Sequence, residues 1–281
     1  MREAKQFSSC DRLLIRASLV ALLVSGLLGC KAYDSALGSG ENVTVTDSAR
    51  LTQSGFLTDY AKLKPVAAMQ DIECWRDTRF DPKKYKKIQI TPIVVSLVAP
   101  KDSKDGKVPI VDPADLKQLT DDFYQTLRNA FKPQMPIVAQ AGAGVLVLRI
   151  ALTNLVPTSV PGSVAGTLIP YAFIAEASSG KMTGRPAGST PYLGETGMEM
   201  QFRDGASGAV LAECRDTEIG RKYAAELNAG AAQAAQTWAN GYMSSFQSWG
   251  YAKAAFNKWS LLVAKRVADL QQIQPRSKFS G

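Results

Sequence analysis

The sequence predicts an α+β fold: a mixed sheet of about five strands with two main helices packed on one face, preceded by a signal peptide and a flexible tether. Three observations carry this. Alternating or continuous apolar runs recur in "KKYKKIQITPIVVSLV", "VLVLRIALTNLV" and the pair "GMEMQFRD" and "GAVLAECRD". Two long stretches, "VDPADLKQLTDDFYQTLRNAFK" and "FQSWGYAKAAFNKWSLLVAKRVADLQ", repeat apolar residues at helical spacing. The first 29 residues follow neither pattern, and join a cationic start to a short uncharged apolar run.

In chain order, "MREAKQFSSCDRLLIR" is net positive and "ASLVALLVSGLLG" is nearly all apolar. As a helix at ~1.5 Å per residue that run reaches roughly 20 Å, short of the ~30 Å hydrocarbon core, so it predicts a secretory signal and not a span. It ends Leu27, Leu28, Gly29, Cys30, where an ordinary signal ends in small residues of the A-x-A kind. This ending resembles the bacterial lipobox. The resemblance implies that residues 1–29 are cut away and that Cys30 carries diacylglycerol and a further palmitate-type chain. Two or three chains anchor a protein to one leaflet without spanning it. Charge, length, position and the Gly29–Cys30 step all weigh against the alternative of a structural cysteine closing a core helix. Lys31 stands where, in enteric-type lipoproteins, an aspartate resembles an inner-membrane retention signal, so the outer membrane, facing the periplasm, is the expected location.

From Lys31 the chain is rich in Gly, Ser, Thr, Asn and Asp, which predicts a tether over 30–53. A single domain is then expected over 54–275. "GFLTDYAKLKP" has Phe56, Leu57, Tyr60 and Leu63 at helical spacing before Pro65. "KKYKKIQITPIVVSLV" reads as strand, with Pro92 marking an edge or bulge. In the first long helix Asp112 is the N-cap and Pro113 takes the first helical position, with Leu116, Leu119, Phe123, Leu127 and Ala130 buried. "MPIVAQ" and "VLVLRIALTNLV" read as two strands joined by the tight loop Ala141–Gly144. Residues 157–194 are largely a Gly/Pro/Ser/Thr-rich loop. "GMEMQFRD" and "GAVLAECRD" form a hairpin through "DGASG". A weakly specified helix is expected near 224–240, and the last helix buries Trp249, Ala252, Phe256, Trp259, Val263, Val267 and Leu270.

Of the 281 residues 46% are hydrophobic and 21% charged, an ordinary globular composition. The net charge is +8, and Met1–Cys30 accounts for two of those charges. The densest basic cluster, Lys83, Lys84, Lys86 and Lys87, reads as a solvated strand edge. No nucleic-acid partner is expected. Histidine is absent, which removes imidazole-activated nucleophiles, histidine-ligated zinc and histidine acid/base chemistry. "SSGK", Ser178–Lys181, has the S-x-x-K spacing, but it lies in a Gly-rich loop without S-D-N or K-T-G partners. "GSGENV" and "GAGVLV" lack the third glycine of a phosphate loop. Asp121 and Asp122 are adjacent on a helix and point to different faces. No catalytic, cofactor-binding or metal-ligating residue is therefore assigned.

Cys74 and Cys214 sit in similar contexts, "ECWRD" and "ECRD". Export to an oxidising compartment favours a disulfide between them. Two buried free thiols, or a redox or metal role, are the alternatives.

Six stretches carry a family resemblance: "GFLTDYAKLKP", "YKKIQITPIVV", "LTDDFYQTLRNAF", "GVLVLRIALTNL", "MEMQFRDGASGAVLAE" and "AFNKWSLLVAKRV". In this order they resemble a bacterial lipoprotein family known as domain of unknown function 3313. The resemblance implies a periplasm-facing α/β body with no established activity and no catalytic residues to carry over. The Ala/Gln/Asn-rich stretch 229–236 is longer than that family leads one to expect.

The sequence thus predicts a non-enzymatic, membrane-anchored envelope lipoprotein that binds an envelope protein, lipid or peptidoglycan and needs no cofactor. The rival readings are an envelope hydrolase using carboxylate or serine groups, and a carrier of a small apolar ligand.

Overall fold

The computed structural model describes residues 43–99, 106–159, 184–186, 189, 193–221 and 247–272. Three long strands, β6 (Val145–Val156), β7 (Glu195–Asp204) and β8 (Val210–Gly220), form an antiparallel centre. Short strands flank it. Along the outer side of β8 run β1 (Thr44–Thr46) and β3 (Glu73–Arg76), with β2 (Lys64–Pro65) beyond β3. Along β6 run β4 (Lys87–Ile90) and β5 (Val94–Val95), both parallel to it. The sheet is therefore mixed, ordered β2-β3-β8-β7-β6-β4 with β1 on β8 and β5 on β6.

The strands alternate as their side chains require. Leu146, Leu148, Ile150 and Leu152 of β6 and Met198, Met200 and Phe202 of β7 join one apolar core with both helices. Helix α1 (Pro113–Phe131) starts where the Asp112 carboxylate accepts the Ala114 N–H at 2.7 Å and proline fills the first helical position. Its buried stripe is Leu119, Phe123, Leu127 and Phe131, with Leu116 and Ala130 partly buried beside it. Helix α2 (Gly250–Gln272) lies against α1, and Phe123 stacks on Phe256 with ring centroids 4.5 Å apart. Trp249 donates its indole N–H to Asp115 at 2.9 Å, tying the two helix starts together. A mixed sheet carrying two main helices on one face is the architecture the sequence predicts.

The opposite face of the sheet is polar but not wet. Glu199, Gln201 and Glu213 point away from the helices and are buried, because residues 51–63 cross over them as a strap. The Ser54 N–H and hydroxyl both donate to Glu199 at 2.8 Å, and the Tyr60 hydroxyl donates to it at 2.7 Å. The Thr58 N–H and hydroxyl donate to Glu213 at 2.8 and 2.7 Å. Here the helix expected over Gly55–Pro65 is corrected. Only Tyr60–Lys62 makes a single 3-10 turn, capped by Asp59. The backbone donors of the strap go to the sheet's carboxylates, so the apolar spacing of Leu57 and Leu63 serves a strap that buries both.

Two further expectations change. The tether predicted for 30–53 gives way to ordered chain at Val43: β1 pairs with β8, and Val43, Leu51 and Thr52 are buried. The strand expected at "MPIVAQ" does not form; Ile137 makes only an isolated parallel bridge to Ile88. Gly144, at φ +72°, turns the chain into β6 in a conformation that favours glycine. The "DGASG" hairpin forms, with Asp204 Oδ1 accepting the Ala206 and Ser207 N–H groups at 3.0 and 2.7 Å. The helix expected near 224–240 and most of the 157–194 loop lie outside the described residues.

Candidate functional site

The short strand β3 and the C-terminal half of α2 face each other across a cleft of about 200 Å³. Its walls are apolar: Met69 from the 3-10 turn before β3, Phe202 from β7, and Val263, Val267 and Leu270 from α2. Phe202 reaches the cleft because it sits on the helix-facing side of β7, and the α2 residues because they recur every three to four positions. Cys74 and Cys214 lie in the wall. They are directly opposite in the β3–β8 register and are joined by a disulfide, Sγ–Sγ 2.12 Å, across 140 residues of chain. The bond holds the short strand β3, and with it one side of the cleft, to the centre of the sheet.

The charged residues of the lining are Arg76, exposed, and Arg266, half-buried; no Asp or Glu takes part. Neither arginine enters an ion pair among the described residues. Other half-buried or buried arginines do: Arg215 pairs with Glu73 at 2.8 Å, Arg50 with Asp47 and Glu195, and Arg185 with Glu195. Trp75 also lines the cleft, and Lys62 lies 5.3 Å from its ring centroid. The lining thus joins apolar walls to two guanidinium groups.

Two buried polar clusters lie elsewhere. At the end of β8, Lys258 donates to Glu218 at 2.6 Å, Trp259 donates its indole N–H to Asp216 at 2.7 Å, and Thr46 bridges both carboxylates. Burial first, and then the Glu218 charge, hold the Asp216 carboxyl well above the usual carboxylate range, against the pull of Lys258 and Trp259. The cluster is closed to solvent and joins β1, β8 and α2. At the start of β7, Glu195 receives Asn154 and pairs with Arg50 and Arg185. Both clusters are buried inside the fold, where Glu218 Oε2 and Asn154 Oδ1 have no hydrogen-bond partner among the described residues. A polar depression of about 470 Å³ is bordered by Glu73 and Arg215, which pair with each other. Among the described residues no group of three His, Cys, Asp or Glu is placed to hold a metal ion.

The residues singled out from the sequence fall as follows. Cys30, the lipidation candidate, and Ser178 and Lys181 lie outside the described residues. Asp121 pairs with Lys117 on its own helix and Asp122 with Lys253 of α2, at 2.9 Å, so the two carboxylates serve different partners. Lys84, Lys86 and Lys87 are exposed and Lys83 is half-buried. Arg76 and Arg266 were not visible as site residues: 190 positions separate them, and neither sits in a motif.

Comparison with known proteins gives a family. The model of the family described as "Protein of unknown function (DUF3313)" matches residues 52–242. The chain belongs to the DUF3313 family. No curated protein matches it. Among solved structures, a PelC variant dodecamer from Paraburkholderia phytofirmans is 14% identical, with a TM-score of 0.34, covering 72% of this chain and 98% of that one. A second PelC dodecamer from the same organism is 13% identical, TM-score 0.27, over 62% and 98%. A Xanthomonas campestris protein of the DUF330 family is 11% identical, TM-score 0.26, over 63% and 91%. The DUF3313 match begins at Thr52, within the strap, and runs past β8. It thus includes Cys74, Cys214 and Arg76 but stops before α2, which supplies the other wall of the cleft. Among the described residues no helix is long and apolar enough to cross a membrane.

Proposed function

We propose that this DUF3313 chain is an envelope lipoprotein, anchored through acylated Cys30 after removal of residues 1–29, whose body is a non-catalytic binding domain. The observation that carries the reading is the disulfide-walled apolar cleft. A disulfide between distant strands is the mark of a chain that folds in an oxidising compartment, and an apolar cleft edged by charge is the usual form of a ligand site. The buried carboxylates support a binding role because each has structural work: Glu199 and Glu213 hold the strap, and Asp216 and Glu218 lie under α2. Lys31 after the cysteine favours the outer membrane, with the body facing the periplasm.

The test is metabolic labelling with an alkyne-bearing palmitate. The wild-type chain takes the label and runs as the processed form, whereas Cys30→Ala takes none and accumulates as precursor. Equal labelling of the two chains refutes the anchor. In-cell cross-linking of the acylated form then reports what the body contacts, and recovery of no envelope component refutes the binding role.

A further inference from the structure

We propose that the cleft between β3 and α2 takes a single medium-length acyl chain carrying an anionic head, with the head on Arg76 and Arg266. The inference rests on the binding-domain reading above and adds to it the chemistry of the ligand.

Size sets the chain. A cavity of about 200 Å³ holds on the order of seven methylenes if each needs about the ~30 Å³ share of a water molecule. That space suits one chain of roughly eight carbons. The walls suit it too. Met69, Phe202, Val263, Val267 and Leu270 present hydrocarbon and a thioether, and methionine adapts readily to a flexible chain. The disulfide contributes another soft, uncharged surface.

Charge sets the head. Arg76 and Arg266 are the ionised groups of the lining, both positive, and neither has a carboxylate partner among the described residues, while Arg50, Arg185 and Arg215 each do. A guanidinium fork recognises a carboxylate or phosphate with two parallel hydrogen bonds. Two unpaired guanidinium groups lining an apolar cleft complement an amphiphile with a negative end and discriminate against an alcohol of equal length. A cationic head would meet repulsion there.

The experiment uses the full chain in membrane vesicles irradiated with octanoic acid bearing a diazirine, with adducts mapped by mass spectrometry. Adducts are expected on the peptides holding Met69, Phe202 and Val263–Leu270. Unlabelled carboxylates should compete, each added methylene improving competition about fourfold up to roughly octanoate and little beyond. Octanol should compete at least tenfold less well than octanoate. The double variant Arg76→Gln/Arg266→Gln should lose tenfold or more of the cleft adduct and melt as the wild type does. Adducts scattered without enrichment at the cleft, equal competition by octanol, competition that keeps rising past dodecanoate, or an unchanged adduct in the double variant would each overturn the assignment. The same samples are scored for acylation at Cys30. Acylation without a cleft adduct overturns the ligand alone. A cleft adduct on a chain that is never acylated supports the ligand and overturns the anchor.

Discussion

Replacing Lys258 by Met removes the ammonium that faces two buried carboxylates, and the structure allows the cost to be worked out. The Lys258 and Glu218 side chains are 3% and 0% exposed, 2.6 Å apart. At that distance, 2.6 Å, and an effective dielectric near 20, their attraction is about 6 kcal/mol, much of which offsets the desolvation of the two ions. Deleting one partner leaves the other charged and enclosed, which costs about 3–5 kcal/mol. For a folded body of this size that lowers Tm by roughly 6–20 °C. The effect should depend on pH, with a definite sign. Asp216, two residues before Glu218 on the same face of β8, has its carboxyl raised above the usual 3.8. The stability that its bound proton contributes is complete below 3.8 and is lost as pH rises through the raised value. Lys258 opposes that rise, so its loss should cost more at about pH 8 than at about pH 5. Urea melts at the two pH values, followed by circular dichroism, measure both. Lys258→Met combined with Glu218→Leu should recover most of the stability, because the Glu218 charge leaves together with its partner and no longer faces Asp216. A loss below about 1 kcal/mol at either pH, or a double variant no better than the single, would refute this account of the interior.

Three further outcomes are expected. Replacing Cys74 and Cys214 by Ala opens a loop with a sequence separation of 140; the entropic model sets an upper value of about 5 kcal/mol, and a loss of about 2–5 kcal/mol is expected. Reduction of the wild type should move its urea midpoint in the same direction, and an unmoved midpoint would count against the bond's role. Asp204→Asn should flatten the acid limb of the stability curve. The Ser207 N–H, helped by the Tyr85 hydroxyl, holds the Asp204 carboxyl down to about 2, so its contribution is present above 3.8 and disappears as pH falls toward 2. Acid titrations of the two chains that superimpose would exclude it. Gly197→Ala places a methyl 2.7 Å from Thr153 Oγ1 and 3.1 Å from Asn154 Cβ; overpacking of this kind costs about 1–3 kcal/mol in thermal melts. It should also loosen the strap, since Thr153 is hydrogen-bonded to Thr52 at 2.6 Å.

Much of the fold could be read directly where local signals and tertiary demands coincide. Asp112–Pro113 and the stripe from Leu119 to Leu127 define α1 whatever its neighbours do. The unbroken apolar run of β6 and the "DGASG" turn define the centre of the sheet. Legibility ends where a segment borrows its conformation. β1, β2 and β3 are "TVT", "KP" and "ECWR", too short and polar to announce themselves; β1 and β3 are strands because β8 offers a ladder, and β2 because β3 does. Residues 55–65 carry helical spacing, yet Glu199 and Glu213 claim their donors. The alternation Glu199, Gln201, Arg203 reads as a solvent face, and nothing local tells that a strap covers its first two members. At the site, the cysteines were legible through compartment chemistry. Arg76 and Arg266 were not, since isolated arginines carry no pattern until the fold brings β3 to α2.

The strap has a consequence for biosynthesis. Residues 44–60 find their partners at 195–220: Thr44 opposite Gly220, Ser54 and Tyr60 on Glu199, Thr58 on Glu213. The part of the body made first therefore waits for a part made near the end. Contacts so distant along the chain form slowly, because loop closure must precede any gain. Until β8 emerges, β1 and the Thr58 part of the strap have no partners to close upon. The sheet is complete only when its last strand, β8, has been made, and the core only when α2 has followed it.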